Sequence, residues 1–232
     1  MNAFRVLGSR HPGAAATPVP MLIALLTDIH ANREALDACL LHAAGAGAEG
    51  YAFLGDVVGY GADPAYAVDT VARYAASGAI VLRGNHDEAV SGQCDGFNPE
   101  ARAAIDWTRS RLDRAQSEFL AALPLVHEQG ERLLVHANAW SPAGWDYVLA
   151  PVEAERSMSR TSCRLTFCGH THAPALFHMA AGTPARRFTP VAGTGIALTP
   201  GRRWLAVIGA VGQPRDGNPA ACYALLQTGG AR

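Results

Sequence analysis

Five short segments of the sequence concentrate side chains that bind metals or move protons. They are Asp28 and His30 in "TDIH", Asp56 in "LGDVVGY", Asn85, His86 and Asp87 in "GNHD", His136 in "LLVHAN", and His170 and His172 in "FCGHTHAP". Carboxylate, amide and imidazole donors without thiolate suit Mn, Fe, Zn or Ni better than Ca, and the set has the groups that a two-metal site needs. Asp28 and His30 alternate along the chain, so they would share one side of an extended strand and could together grip one cation, and His170 and His172 are again in alternate positions. Taken alone, each segment also reads as a polar turn. It is the five together that argue for a site. His11, His42, His127 and His178 lack a glycine, aspartate or asparagine after a strand and are expected at the surface or in the core.

Each segment must be delivered by the element before it. From Met21 the chain alternates: a strand at 22–27, a helix at 32–44, a strand at 51–54, a helix at 64–76 and a strand at 79–82. This is the βαβα order of a parallel sheet whose short apolar strands are covered by helices. Such folds place their sites at the carboxyl ends of strands, where all five segments lie. Residues 99–122 read as one or two helices, started by Asn98-Pro99 and stopped by Pro124. Beyond 130 the apolar runs at 132–136, 164–168, 174–179, 186–190, 204–209 and 221–227 are short and separated by Gly, Pro and Thr, which predicts a second sheet. Pro151 opens one further helix there. The two sheets are expected to pack together with helices outside. Gly45 to Gly50, "GAGAEG", matches a dinucleotide fingerprint, but it follows a helix and precedes a strand, so it reads as a helix-ending loop.

At 232 residues with 49% hydrophobic and 17% charged residues, the chain can bury one substantial core and is not a disordered polymer. Nineteen Lys+Arg against 20 Asp+Glu give a net charge of -1, which argues against broad nucleic-acid or anionic-membrane binding. Five scattered cysteines with no C-x-x-C pair indicate neither a disulfide framework nor a thiolate zinc site, so a cytoplasmic location is expected. No apolar run is long enough to span a membrane. Residues 1–20 end in alternating prolines and lack periodicity; they are expected to be a flexible, dispensable tail, with one domain over 21–232 beginning at Met21.

The ordered set D-x-H, G-D-x-x-G, G-N-H-D, a lone His and G-H-x-H resembles the calcineurin-like metallophosphoesterase superfamily. The tail "GAVGQPRDGNPAACYALL" is similar to the closing segment of its compact bacterial phosphodiesterase-like branch. The resemblance covers residues 21 to 228. It implies an α/β fold, a four-layer α/β/β/α sandwich of two mixed β-sheets flanked by helices, the metallo-dependent phosphatase fold. It further implies two divalent ions, with Mn favoured among Mn, Fe, Zn and Ni. Asp28, His30, Asp56 and His172 would hold one ion; Asp56, Asn85, His136 and His170 would hold the other, with Asp56 as the bridge. His86 would face substrate rather than metal, and Asp87 would orient it.

The implied activity is hydrolysis of a phosphodiester or phosphomonoester, on a small or nucleotide-like substrate. Two adjacent cations cancel phosphoryl charge and acidify a bound water, so no Ser or Cys nucleophile is needed. Alternatives are a dinucleoside polyphosphate hydrolase, a protein phosphatase, or a metal-stabilised interaction module without catalysis. Three positions depart from the branch pattern: Ala31 after "DIH", Ala137-Asn138 after His136, and "VIGAVG" in the closing turn. None is a proposed ligand. Arg215 has the fork to bind a phosphate, although pairing with Asp216 or capping a carbonyl is the plainer expectation.

Overall fold

The structure is a computed structural model and describes residues 1–8, 21–92 and 96–229. Strands β1 (Asn2–Gly8), β2 (Leu22–Leu26), β3 (Gly50–Phe53), β4 (Ile80–Val81), β10 (Gly195–Leu198) and β12 (Cys222–Gln227) form one sheet in the order β10-β1-β12-β2-β3-β4. Strands β5 (Val126–Gln129), β6 (Arg132–Val135), β7 (Leu165–Cys168), β8 (Ala175–Ala180), β9 (Arg186–Phe188) and β11 (Arg202–Val207) form the second, in the order β5-β6-β7-β11-β8-β9. Helices α1 (Arg33–Gly45) and α2 (Pro64–Ala76) are the crossovers between parallel β2, β3 and β4. Helices α3 (Asn85–Ser91), α4 (Pro99–Arg109) and α5 (Arg114–Ala122) follow β4, and α6 (Pro151–Ser159) precedes β7.

Local signals set the helix ends. Asn32 caps α1 by accepting from Ala35 N at 3.1 Å, and Asn98 caps α4 by accepting from Ala101 N at 2.8 Å. The 99–122 stretch divides because Asp113 and Gln116 form a reciprocal capping box that starts α5. Helix α1 ends at Gly45, and the chain turns through Gly47 (φ 85°) to re-enter the sheet at Gly50, so "GAGAEG" is the expected helix-ending loop.

The strands read as continuous apolar runs because both faces are buried. In β2, Ala24 and Leu26 pack with Leu36, Cys39 and Leu40 of α1, while Leu25 joins the core between the sheets. In that inner core, Phe4, Val6, Leu25, Ala52 and Leu54 of the first sheet meet Leu134, Phe167, Leu176, Trp204 and Ala206 on the second sheet's side. On the far side, Ala154 and Met158 of α6 cover Val135, Cys168, Phe177 and Leu205. The result is the four-layer α/β/β/α arrangement of two mixed sheets. Among the described residues, no helix is long and apolar enough to cross a membrane.

The flexible-tail expectation for residues 1–20 is corrected for residues 2–8, which form β1, an interior strand of the first sheet between β10 and β12; residues 9–20 lie outside the described residues. Strand β1 runs parallel to both β12 and β10, and Phe4 and Val6 are buried in the inter-sheet core. Phe4 and Val6 alternate with Arg5 and Leu7, a strand pattern that the prolines after them obscure. Fully burying such side chains is worth about 1.5–3 kcal/mol each. A chain beginning at Met21 should therefore melt on the order of 10 °C lower than the full chain, as followed by circular dichroism.

Candidate metal centre

All five segments converge at the carboxyl ends of strands from both sheets. Asp28 and His30 follow β2, Asp56 follows β3, Asn85, His86 and Asp87 open α3, His136 follows β6, and His170 and His172 follow β7. Asp28, His30, Asp56, His170 and His172 all have left-handed backbone, with φ from 49° to 67°. Each such non-glycine residue costs on the order of 1 kcal/mol, and their clustering marks a site held in a set shape by its surroundings. The D-x-H and H-x-H pairs therefore do not share one side of an extended strand; they converge because the chain turns at each of them. The turns are locked by backbone hydrogen bonds, including Asp28 N to Gly55 O at 3.1 Å, His30 N to Asp56 O at 3.0 Å and Gly212 N to Asp28 O at 2.9 Å.

Gly84 works by proximity. Its φ of -98° is open to any residue, but a Cβ there would run into the Asp56 backbone nitrogen and Oδ1. Its lack of a side chain lets the start of α3 approach closely enough for His86 N to donate to Asp56 Oδ1 at 2.9 Å.

Each of the four imidazoles in the two clusters is fixed by a backbone carbonyl. His30 Nδ1 lies 3.0 Å from Val58 O, His136 Nδ1 2.7 Å from Leu54 O, His170 Nε2 2.7 Å from Trp145 O, and His172 Nδ1 2.6 Å from Gln213 O. A carbonyl only accepts, so the nitrogen facing it carries a proton, and in the neutral ring the opposite nitrogen presents a lone pair to the centre. His30 Nε2 and His172 Nε2 then face one another at 3.1 Å, a separation that requires a cation or a proton between them. Asp28 Oδ1 is buried with no hydrogen-bond partner and lies 3.2 Å from His172 Nε2. Its other oxygen is used, accepting from His170 N and the Thr27 hydroxyl, each at 2.9 Å.

Asp28, His30, Asp56 and His172 bring one donor atom each within 4.8 Å of one another, and Asp56, His136 and His170 do the same. Asp56 belongs to both groups. Its Oδ2 lies 3.7 Å from His30 Nε2 and 3.3 Å from His136 Nε2. Asn85 Oδ1 is 3.3 Å from His136 Nε2 and so joins the second group. The donor set and the orphaned, buried Asp28 oxygen fit divalent metal ions.

His86 is buried beside this cluster without entering it. Its ring sits 4.9 Å from His30, 4.7 Å from Tyr60 and 5.1 Å from Phe97, and its Nδ1 has no hydrogen-bond partner. Asp87 is not its orienting partner, which corrects the role expected for it. Asp87 Oδ1 accepts from Val57 N at 2.9 Å and Val58 N at 3.2 Å, and Oδ2 accepts from Gly84 N at 3.0 Å. With both oxygens committed to backbone amides, Asp87 clamps the Asp56 loop to the start of α3, and His86 is oriented by its own backbone and by the rings around it.

Burial would raise the carboxyls of Asp28 and Asp56, but the surrounding histidines overcome it: Asp28 falls to about 2 and Asp56 lies well below its ordinary value. Burial holds His30 down at about 3 and His170 at about 4, so both imidazoles are neutral and able to coordinate. His136 goes the other way: burial lowers it, yet Asp56 outweighs that and brings it up to about 9. Burial, then Asp56, pushes Asp87 up to about 7, and burial lowers His86. His136 is thus protonated at neutral pH and must lose that proton to coordinate. Metal loading at pH 7 should release about one proton from it, and affinity should weaken up to about tenfold for each pH unit below 9. Calorimetric titrations in buffers of different ionisation enthalpy measure both quantities.

Several contributors were not legible beforehand. Tyr60, directly after "GDVVG", packs against both His30 and His86. Tyr147 stacks on His170 with centroids 4.2 Å apart, on a loop whose Trp145 carbonyl orients the same histidine. Asn138, one of the departures from the branch pattern, is buried and pins that loop by donating to Asp146 O at 2.8 Å and accepting from Ser141 N at 2.8 Å. For Trp145 and Tyr147 the sequence signal is the run of aromatics in "AWSPAGWDY"; Tyr60 and Asn138 lie outside it.

Comparison with known proteins agrees with this geometry. The description "Calcineurin-like phosphoesterase superfamily domain" matches residues 21–230. The chain is 33% identical over 214 residues to the uncharacterized protein MJ0912 of Methanocaldococcus jannaschii, covering 90% of this chain and 83% of that one. A metallophosphoesterase from Sphaerobacter thermophilus superposes with a TM-score of 0.76 at 33% identity, covering 90% of this chain and 84% of that one. The hypothetical protein PH1004 from Pyrococcus horikoshii shares the fold, with a TM-score of 0.64 at 19% identity over 91% of this chain and 89% of its own. With nearly the whole chain matched and two groups of donors that could hold a metal assembled, the protein belongs to the calcineurin-like phosphoesterase superfamily.

Proposed function

We propose that the protein is a dinuclear metal-dependent phosphoesterase that hydrolyses phosphomonoester or phosphodiester bonds of a small or nucleotide-like substrate. One observation carries the reading: two groups of buried donors share Asp56, and a buried histidine outside both groups stands within 4.9 Å of a ligand ring. Asp28, His30, Asp56 and His172 would hold one ion, and Asp56, Asn85, His136 and His170 the other. Divalent ions of the Mn, Fe, Zn or Ni class, Mn foremost, would neutralise phosphoryl charge and acidify a water to serve as nucleophile.

The chain's own residues do the rest. The carbonyls of Leu54, Val58, Trp145 and Gln213 hold four imidazoles with their other nitrogen toward the centre, and left-handed turns at His30, His170 and His172 help to set three of them. Asp87 and Gly84 set the distance between Asp56 and α3. His86 lies where it can pass a proton to the departing ester oxygen or donate a hydrogen bond to the transferring phosphoryl group. An anionic substrate beside its ring favours the charged form that burial disfavours.

The test is hydrolysis of a matched monoester and diester by protein loaded with Mn, Zn or Ni, with a chelator-treated sample alongside. Metal-dependent turnover of either ester supports the reading, and its absence with every ion refutes it.

A further inference from the structure

Resting on that reading, we infer that Arg215 is the residue that grips a non-bridging phosphoryl oxygen of the substrate, or of free phosphate, at the rim of the metal centre.

The loop that carries Arg215 is bound to a proposed ligand at two points. His172 Nδ1 contacts Gln213 O at 2.6 Å, and Arg215 N donates to His172 O at 3.0 Å. These two bonds tie the loop to that histidine. The Arg215 guanidinium carbon lies 6.0 Å from the centroid of the Tyr60 ring, which itself packs on His30 and His86. A cavity of about 360 Å³ is lined in part by His30, Asn32, Tyr60 and Gln213, with Glu34 and Asp63 also on its wall; Arg215 is not part of that lining but follows it in the chain, two residues after Gln213.

Neither plainer role for Arg215 is realised. Asp216 Oδ1 accepts from Asn218 N at 3.1 Å instead of from Arg215, and among the described residues the Arg215 side chain donates to no backbone carbonyl. Its Nε and Nη2 both donate to Gln213 Oε1, at 3.2 and 2.6 Å. That contact fixes the plane of the guanidinium. A planar cation held by a neutral amide keeps its full charge for an anion, and its fork matches phosphoryl oxygens in a way an ammonium does not.

The experiment measures inorganic phosphate binding to Mn-loaded protein by calorimetry for the wild type, Arg215→Ala and Arg215→Lys, together with metal content, melting temperature and steady-state kinetics on an aryl phosphate. Arg215→Ala should weaken phosphate binding and raise KM about 10- to 100-fold, with metal content and melting temperature unchanged. Arg215→Lys should recover part of the loss. Phosphate binding equal to wild type in Arg215→Ala overturns the inference, as does a loss that tracks falling metal content or melting temperature, or a wild type that binds no phosphate. Phosphate binding needs no turnover, so a wild type that binds phosphate through Arg215 but hydrolyses no ester upholds this inference while refuting the proposed activity.

Discussion

Replacing Asp56 with Asn should strip both metal positions and abolish hydrolysis, although the substitution changes only one oxygen to an amide. Asp56 is the residue common to both donor groups, its Oδ2 facing His30 at 3.7 Å and His136 at 3.3 Å, so in the proposed centre its charge would counterbalance two cations at once. Outer-layer partners of a metal site typically cost about 10- to 100-fold in affinity or activity when removed. Loss of a shared ligand should exceed that range at both positions. The amide would also present hydrogens to His136, whose elevated pKa of about 9 depends on the Asp56 charge; the imidazole should then titrate nearer neutrality or below. Metal analysis after dialysis checks the first effect. Retention of two ions per chain with activity intact would show that Asp56 is not the bridge.

His86→Ala should behave in the opposite manner, leaving the metals and removing turnover. The His86 ring touches His30, Tyr60 and Phe97 but supplies no atom to either donor group. Positioned proton transfer typically contributes about 100- to 10,000-fold, so kcat on an alkyl phosphoester should fall by that amount while metal content stays at the wild-type level. The fall should be smaller on an activated aryl ester, whose leaving group needs little protonation. Equal turnover of the alkyl ester by variant and wild type would remove His86 from the reaction. The contrast between neighbours is sharp: Asn85→Ala should cost metal, His86→Ala turnover.

The donors were legible because their chemistry resides in side-chain type. Asp28, His30, Asp56, Asn85, His136, His170 and His172 announce themselves at the ends of apolar runs, and the structure brings all of them to one place. The elements that deliver them were legible for the same reason: both faces of β2 and β3 are buried, and Asn32, Pro64 and Pro151 mark helix starts. What remained hidden resides in the backbone or in long-range pairing. Nothing in the residue types shows that Leu54, Val58, Trp145 and Gln213 lend their carbonyls to histidines, since any residue has one. Left-handed backbone at Asp28 or His172 runs against local preference and exists because the surrounding sheet ends impose it. Asp87 stands next to His86 in sequence, yet its carboxylate turns to the amides of Val57, Val58 and Gly84, which three-dimensional packing alone decides. Strand β1 was missed because its partners, β10 and β12, lie almost the whole chain away.

The most direct measurement titrates metal-free protein with Mn while following both bound metal and hydrolysis of a phosphoester. If two ions act together across Asp56, activity should remain low until the second position fills and should reach its plateau at two equivalents per chain. Full activity at a single equivalent, or two bound equivalents with no hydrolysis of any phosphoester, would contradict the account.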